Sequence, residues 1–319
     1  VMGTIGFDGR VAIVTGAGGG LGRSHAMLLA ARGARVVVND LGTSVDGRDQ
    51  PSRMAEQVAA EICAAGGIAV ANGDDVATPA GASRLAEQAC DAFGRLDILI
   101  NNAGILRDKT FAKMDLADFH RVLEVHLLGT VYCTKAVWAG MVEQGHGRIV
   151  VTTSSSGLYG HFGQTNYDTA KLGLVGFMKA LAQEGRRHGI AVNAIGPLAA
   201  TRMSDGVLDA EVFRRMPPEH VSAVVAYLAS DRCGVSGEVL VAGGGYLARA
   251  AVVESHGVVL PADHPSPEAV EAALAQASDL SRAVAYPDLT SAFAAAAERL
   301  KAAHRDRAPE DSVPAASVP

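Results

Sequence analysis

The chain has 319 residues and a net charge of −6, from 28 basic and 34 acidic side chains without a Lys/Arg run, which excludes nucleic-acid binding along a basic stripe. Its 49% hydrophobic and 19% charged content is that of a globular protein long enough for one large or two small domains. Cys63, Cys90, Cys133 and Cys233 form no CxxC or Cys/His cluster, so neither a metal site nor a disulfide framework is expected, and no apolar run is long enough for membrane insertion.

A first strand over residues 11–14 runs into "TGAGGGLG", Thr15 to Gly22, and a helix over 21–32. Glycines there permit a tight turn and close approach of a pyrophosphate, with N–H groups of the helix start facing it. Gly16, Gly20, Leu21 and Gly22 are therefore candidate cofactor contacts, because the turn follows a buried strand and opens a helix. A second strand, 35–39, ends at Asp40, where a carboxylate can accept both hydroxyls of an adenosine ribose. It would repel a 2′-phosphate by up to about 4 kcal/mol at an effective dielectric near 20. No arginine follows it, so NAD is expected over NADP. Residues 42–52, "GTSVDGRDQPS", read as a polar surface loop, followed by a helix over 53–65.

A third strand, 68–71, leads to "GDDV", placing Asp75 and Val76 where an adenine can be read. After a helix over 80–93, a fourth strand, 97–100, closes on "NNAG" at its carboxyl end, the side on which such sheets bind ligands. Asn102 and its neighbour Asn101 can pin strand ends there, and Ala103 and Gly104 let the backbone approach an adenosine. One long helix is expected over 116–143. A fifth strand, 148–152, enters "VVTTSSSG", where Ser154, Ser155 or Ser156 can offer a hydroxyl, or merely cap a loop.

The helix expected over 165–188 begins with "NYDTAKLG". Tyr167 and Lys171 are four residues apart, on one helix face. A neighbouring ammonium favours phenolate. A phenol with pKa near 10 is only about 0.1% ionised at pH 7, and lowering it three units takes roughly 4 kcal/mol. Lys171 together with a positive nicotinamide ring is expected to supply that shift. Tyr167 then acts as a general base or acid, with a serine hydroxyl hydrogen-bonded to the developing oxyanion.

Strands over 190–195 and 238–241 complete an alternation of buried strands and helices, which implies an α/β fold, a doubly wound parallel sheet of the Rossmann type. Beyond Gly245 the character changes. Ser266 and Pro267 open a helix with Val270, Ala273, Leu274 and Ala277 on one face, and an alanine-rich helix is expected from Leu289 to about Ala303. The expected division is residues 1–250 as the nucleotide-binding domain, 251–303 as a helical extension and 304–319 as a disordered tail. The chain enters "GRVAIVTG" without a leader and ends in "SVP", which is not a peroxisomal address, so a cytoplasmic protein is expected.

Taken in order, "TGAGGGLG", "NNAG", a serine thirteen residues before the tyrosine, and "YDTAK" resemble the short-chain dehydrogenase/reductase family. The resemblance selects Ser154 from the serine run and implies transfer of the 4-pro-S hydride. It implies that Lys171 also binds the nicotinamide ribose, and it assigns Pro197 and Thr201 to the carboxamide, although "GPLAATRM" lacks the family's common proline-glycine pair. Most of the family has asparagine, which supports a water-mediated proton relay to the lysine, where this chain has His126; the relay can instead run through the backbone carbonyl, or the histidine be a helix residue satisfied by a neighbour. Within the family, "VVVNDLG", "NNAGILRDKTF", "VHLLGT" and "SGLYGHFGQTNY" resemble the (3R)-hydroxyacyl-CoA dehydrogenase domains of multifunctional β-oxidation enzymes, which also carry histidine there. The relatives of those domains include 17β-hydroxysteroid dehydrogenases. An acyl-CoA or a steroid is therefore the implied substrate; an NADPH-dependent 3-oxoacyl-thioester reductase is disfavoured by Asp40, and a non-catalytic nucleotide sensor by the retained tyrosine and lysine. The resemblance also implies a homodimer or homotetramer through the two long helices, with the carboxyl-terminal segment lining the neighbour's substrate site.

Overall fold

Apart from the edge run 68–72, the short Val/Ile/Leu runs are largely buried on both faces, as parallel strands flanked by helices must be. In the computed structural model, which describes residues 3–49, 51–199, 211, 215–260 and 266–305, they become β1 (Val11–Thr15), β2 (Arg35–Asn39), β3 (Ile68–Asn72), β4 (Ile98–Asn101), β5 (Gly147–Thr152), β6 (Ile190–Pro197) and β7 (Val239–Gly243). These strands are parallel, in the order β3-β2-β1-β4-β5-β6-β7. The chain reverses direction across the sheet between β1 and β4, which opens a crevice beyond their carboxyl ends.

An eighth strand, β8 (Tyr246–Ala250), pairs antiparallel with β7 and was not expected. Gly243 opposes Tyr246, so Gly244 and Gly245, at φ +59° and +85°, form a two-residue hairpin turn of the type that matches strand twist. The Gly-Gly step was the available signal.

The helices are α1 (Gly20–Ala31), α2 (Met54–Ala64), α3 (Pro79–Phe93), α4 (Leu116–Leu123), α5 (Gly129–Gln144), α6 (Ser155–Tyr159), α7 (Thr165–Gly185) and α8 (Pro218–Leu228). Successive strand residues feed opposite layers. Ala12, Val14, Val36 and Val38 pack with Leu29, Ile62 and Val225, whereas Val11, Ile13, Val37 and Leu99 pack with Leu85, Met141 and Met178. The single helix expected over 116–143 is interrupted by a π turn, Glu124–Leu128, between α4 and α5. Its extra residue sets His126 inward, 1% exposed; such turns concentrate at functional sites. The last turn of the helix expected to reach residue 188 tightens into a 3-10 turn, Arg186–His188, closing on Gly189 at φ +69°.

The contacts divide the chain into Val1–Ala250 and Ala251–Pro319. In the second unit, α9 (Pro267–Ala277) is capped by Ser266, whose hydroxyl accepts from the Ala269 N–H at 3.2 Å. The helix α10 (Leu289–Arg305) follows, and Glu254 pairs with Val284 in an isolated antiparallel bridge. No helix among the described residues is long and apolar enough to cross a membrane.

Candidate active site

The glycine turn is shaped by what its Cβ atoms would meet. A Cβ on Gly16 would lie 2.7 Å from Ala103 Cα, and one on Gly22 would lie 2.2 Å from the Gly16 carbonyl oxygen. Gly22 is thus a packing glycine of the turn. Gly20 begins α1, whose first turn carries no acidic side chain, so its N–H groups and positive dipole end are left to an anion. Thr15 Oγ1 accepts from the N–H groups of Asn102 and Ala103, and Asn102 Nδ2 donates to the carbonyls of Thr15 and Gly16 at 3.0 and 3.1 Å. The "NNAG" segment is therefore laced to the turn.

Asp40 stands at the other end of the same groove. Its carboxylate accepts from the Gly18 N–H at 2.8 Å and the Gly42 N–H at 2.6 Å, which fixes its direction and leaves lone pairs for two hydroxyls. A Cβ on Gly18 would fall 2.8 Å from that carboxylate, a requirement that the sequence reading missed. Asp74, Asp75 and Val76 line the groove too. The Asp75 carboxylate already accepts from the Ala77 N–H and pairs with Arg121 at 3.3 Å, so its freedom to read an adenine is smaller than expected. These residues fit a dinucleotide: an anion-binding helix start, a glycine floor and a carboxylate at the far end of the groove.

Leu21, Asn102 and Gly104 are shared with an adjoining cleft that also holds His126, Ser154, Tyr167, Lys171 and Pro197. Ser154 ends the β5 segment as the cap of α6; its Oγ accepts from the Ser156 N–H and lies 3.0 Å from Ser156 Oγ. Lys171 is fully buried, donates from Nζ to the Thr152 carbonyl at 2.6 Å, and lies 5.5 Å from the centre of the Tyr167 ring. Burial lowers its ammonium to about 7. Burial pushes the Tyr167 phenol up to about 12, opposed by a hydrogen bond with Ser154 and reinforced by Asp108 and Asp168. The lowering expected with a nicotinamide ring nearby concerns the filled cleft. In the protein alone, desolvation of the phenolate outweighs the hydrogen bond that opposes it.

His126 contacts Tyr167 edge to face, with ring centres 5.1 Å apart. Its Nε2 lies 3.0 Å from the Ile105 nitrogen and 2.8 Å from the Ile105 oxygen, while Nδ1 is buried with no hydrogen-bond partner among the described residues. Burial first, and the charge of Lys171 second, hold the imidazole well below its ordinary pKa, so the ring is neutral. The backbone carbonyl of His126 accepts from Thr130 Oγ1 at 2.8 Å. Gly104 proves to be demanded by this histidine: a Cβ there would lie 2.2 Å from His126 Cε1. Thr201 lies outside the described residues.

Comparison with known proteins places these features in context. The short chain dehydrogenase family pattern matches residues 10–211. A short-chain type dehydrogenase/reductase of Mycobacterium tuberculosis is 49% identical over 278 residues, 87% of this chain and 97% of that protein. The peroxisomal multifunctional enzyme type 2 of Drosophila melanogaster is 44% identical over 269 residues; the match covers 84% of this chain but 44% of that enzyme. Its full-length structure superposes with a TM-score of 0.80, covering 93% of this chain and 50% of that one, at 36% identity. A 7α-hydroxysteroid dehydrogenase complexed with NADH and 7-oxo glycochenodeoxycholic acid matches at 30% identity and a TM-score of 0.67, over 75% of this chain and 95% of that one. With the glycine turn, the tyrosine–lysine helix and the serine on one sheet edge, the chain belongs to the short-chain dehydrogenase/reductase family, oxidoreductases acting on CH–OH groups.

Proposed function

We propose that this chain is an NAD-dependent dehydrogenase that oxidises a (3R)-hydroxyacyl-CoA to the 3-oxoacyl-CoA. The observation that carries the reading is the meeting of Ser154, Tyr167 and Lys171 in one cleft with a groove ended by the fixed Asp40 carboxylate. When bound, NAD supplies the hydride acceptor. Tyr167 Oη takes the hydroxyl proton, and Ser154 Oγ donates a hydrogen bond to the same oxygen as negative charge develops on it. Lys171 places a cation near the Tyr167 ring and favours the phenolate once the cleft is filled. His126 packs against that ring and holds its plane.

The acyl-CoA assignment is supported by the similarity to the multifunctional enzyme of Drosophila, of which this chain spans about half. A hydroxysteroid substrate is the second reading, supported by the likeness to the 7α-hydroxysteroid enzyme. We further read the chain as a homodimer or homotetramer assembled through α5 and α7, with residues 251–303 covering the partner subunit's substrate site.

Steady-state assays with short-chain, long-chain and steroid-side-chain (3R)-hydroxyacyl-CoAs, against free steroids, test the substrate. The thioesters are expected to give the highest kcat/KM, and a preference for free steroids would replace the first reading by the second. The same assays with NAD and NADP test Asp40: NAD is expected to win by a wide margin, and Asp40→Ala to narrow the gap mainly by weakening NAD. Parity in the wild-type chain would remove the coenzyme argument.

A further inference from the structure

The loop over residues 41–49 forms one wall of the nucleotide groove through Leu41, Thr43, Ser44, Val45 and Gly47. It is a polar surface loop in sequence, yet it is tied down at several points. The Leu106 N–H donates to the Val45 carbonyl at 2.9 Å, and a Cβ on Gly47 would lie 3.1 Å from the Ile105 side chain. The principal tie is Arg107. Its Nε donates to the Asp46 carbonyl at 2.9 Å and its Nη1 to Asp118 Oδ1 at 2.9 Å. Asp118, in the first turn of α4, also receives Arg48 from the loop side, at 3.2 and 3.3 Å. The Arg107 and Asp118 side chains are only 14% and 11% exposed, so this is a sheltered, forked ion pair rather than a solvated surface contact.

The other side of Arg107 faces the chemistry. Its main-chain carbonyl accepts from Asn166 Nδ2 at 3.0 Å, and Asn166 Oδ1 accepts from the Tyr167 N–H at 2.8 Å. Asn166 is fully buried. The neighbouring Asp108 receives Gln164 Nε2 at 2.6 Å, and the Lys109 N–H donates to the Gly163 carbonyl at 2.9 Å. Residues 105–109 thus form a strap with the nucleotide wall on one edge and the start of α7 on the other.

We propose that Arg107 is a positioning residue of this enzyme: its side chain latches the wall of the nucleotide groove to Asp118, and its backbone seats the helix start that carries Tyr167. This rests on the nucleotide reading above. The latch needs two donors in a fixed fork, one for Asp46 and one for Asp118. A lysine keeps the charge but offers a single ammonium group on a flexible stem.

Fluorescence titration with NADH, alongside steady-state kinetics and melting curves, tests it without requiring the substrate to be known. Arg107→Lys and Asp118→Asn are each expected to raise the NADH dissociation constant by about tenfold or more, the scale of one charge-assisted hydrogen bond lost. The kcat at saturating NAD should fall far less than the affinity. Asn166→Ala should show the opposite split, with kcat reduced and NADH affinity nearly kept. Arg48→Ala, at a side chain 56% exposed, gives a variant that will fold and should weaken NADH by a few-fold at unchanged melting temperature. Wild-type affinity for NADH in folded Arg107→Lys, or equal losses in kcat and affinity tracking a lowered melting temperature, would overturn the latch. A wild-type chain that binds no NADH would instead remove the nucleotide reading itself.

Discussion

At Gly104 the absence of a side chain is dictated by the ring beside it. Gly104→Ala would drive a methyl group into His126, which stands edge to face against Tyr167. Activity should therefore fall by more than tenfold, because a reacting group displaced by about an ångström loses that much. His126→Ala alone should cost only a modest part of kcat, since its ring packs edge to face against Tyr167. Combined with Gly104→Ala it should recover activity lost by the single glycine variant. A double variant no better than Gly104→Ala would mean that the methyl group acts elsewhere. For the reacting groups themselves, Tyr167→Phe should abolish turnover while NADH still binds, and Ser154→Ala should lower kcat by roughly two to three orders of magnitude. Near-normal turnover in Tyr167→Phe would show that the proton is handled by another side chain, and in Ser154→Ala that another donor meets the developing oxyanion. The tyrosine–lysine spacing was legible because i and i+4 lie on one helix face. The reason for Gly104 was not, since His126 follows it only after a loop and α4.

At the scale of elements, the π turn Glu124–Leu128 decides which side chain α4 and α5 present to the cleft, and no local propensity announces it. The carboxyl-terminal helices present the opposite case. Ser266 caps α9 as its sequence implies, and Val270 and Leu274 on its apolar face are 50% and 58% exposed in the single chain. We expect this face to be covered at the partner's substrate site. Removing residues from 251 onward should raise KM for acyl-CoA far more than KM for NAD, because the glycine turn and Asp40 belong to the first unit. A folded truncation with unchanged acyl-CoA kinetics would reduce these helices to surface packing.

For the whole molecule, the burial that assembles the cleft also makes stability depend on pH. Lys171 is lowered from its ordinary 10.5 to about 7 by burial, so between these values the unfolded chain binds more protons than the folded one. Stability must then rise with pH across that window, and the penalty is complete below about pH 7. Lys171→Met removes it. The variant should melt above the wild type at pH 6 to 7, with the gap closing toward pH 10.5. Tyr167, raised from 10 to about 12, works in the other direction, but only above pH 10. A gap independent of pH would mean that Lys171 keeps its proton in the folded protein through contacts formed only there.

The strand–helix alternation was readable from the chain because it is a local pattern of apolar runs. The glycine turn, Asp40 and the tyrosine–lysine pair stood out as candidates for the same reason: a glycine spacing, a strand end, one helical turn. Ser154 was selected from its serine run only by the family resemblance. The hairpin strand β8 had a local signal as well, in Gly244 and Gly245, but Tyr246–Ala250 lacks the apolar run that marked the other strands. What tertiary structure alone decided depends on distance along the chain. Arg107 meets Asp46, sixty-one residues earlier, and Asn166, fifty-nine later; no spacing within one element predicts such a junction. The ionisation of Tyr167 and Lys171 in the protein without a cofactor belongs to the same class. Burial by the assembled sheet and helices raises the phenol and lowers the ammonium, because desolvation is set by everything packed around a group.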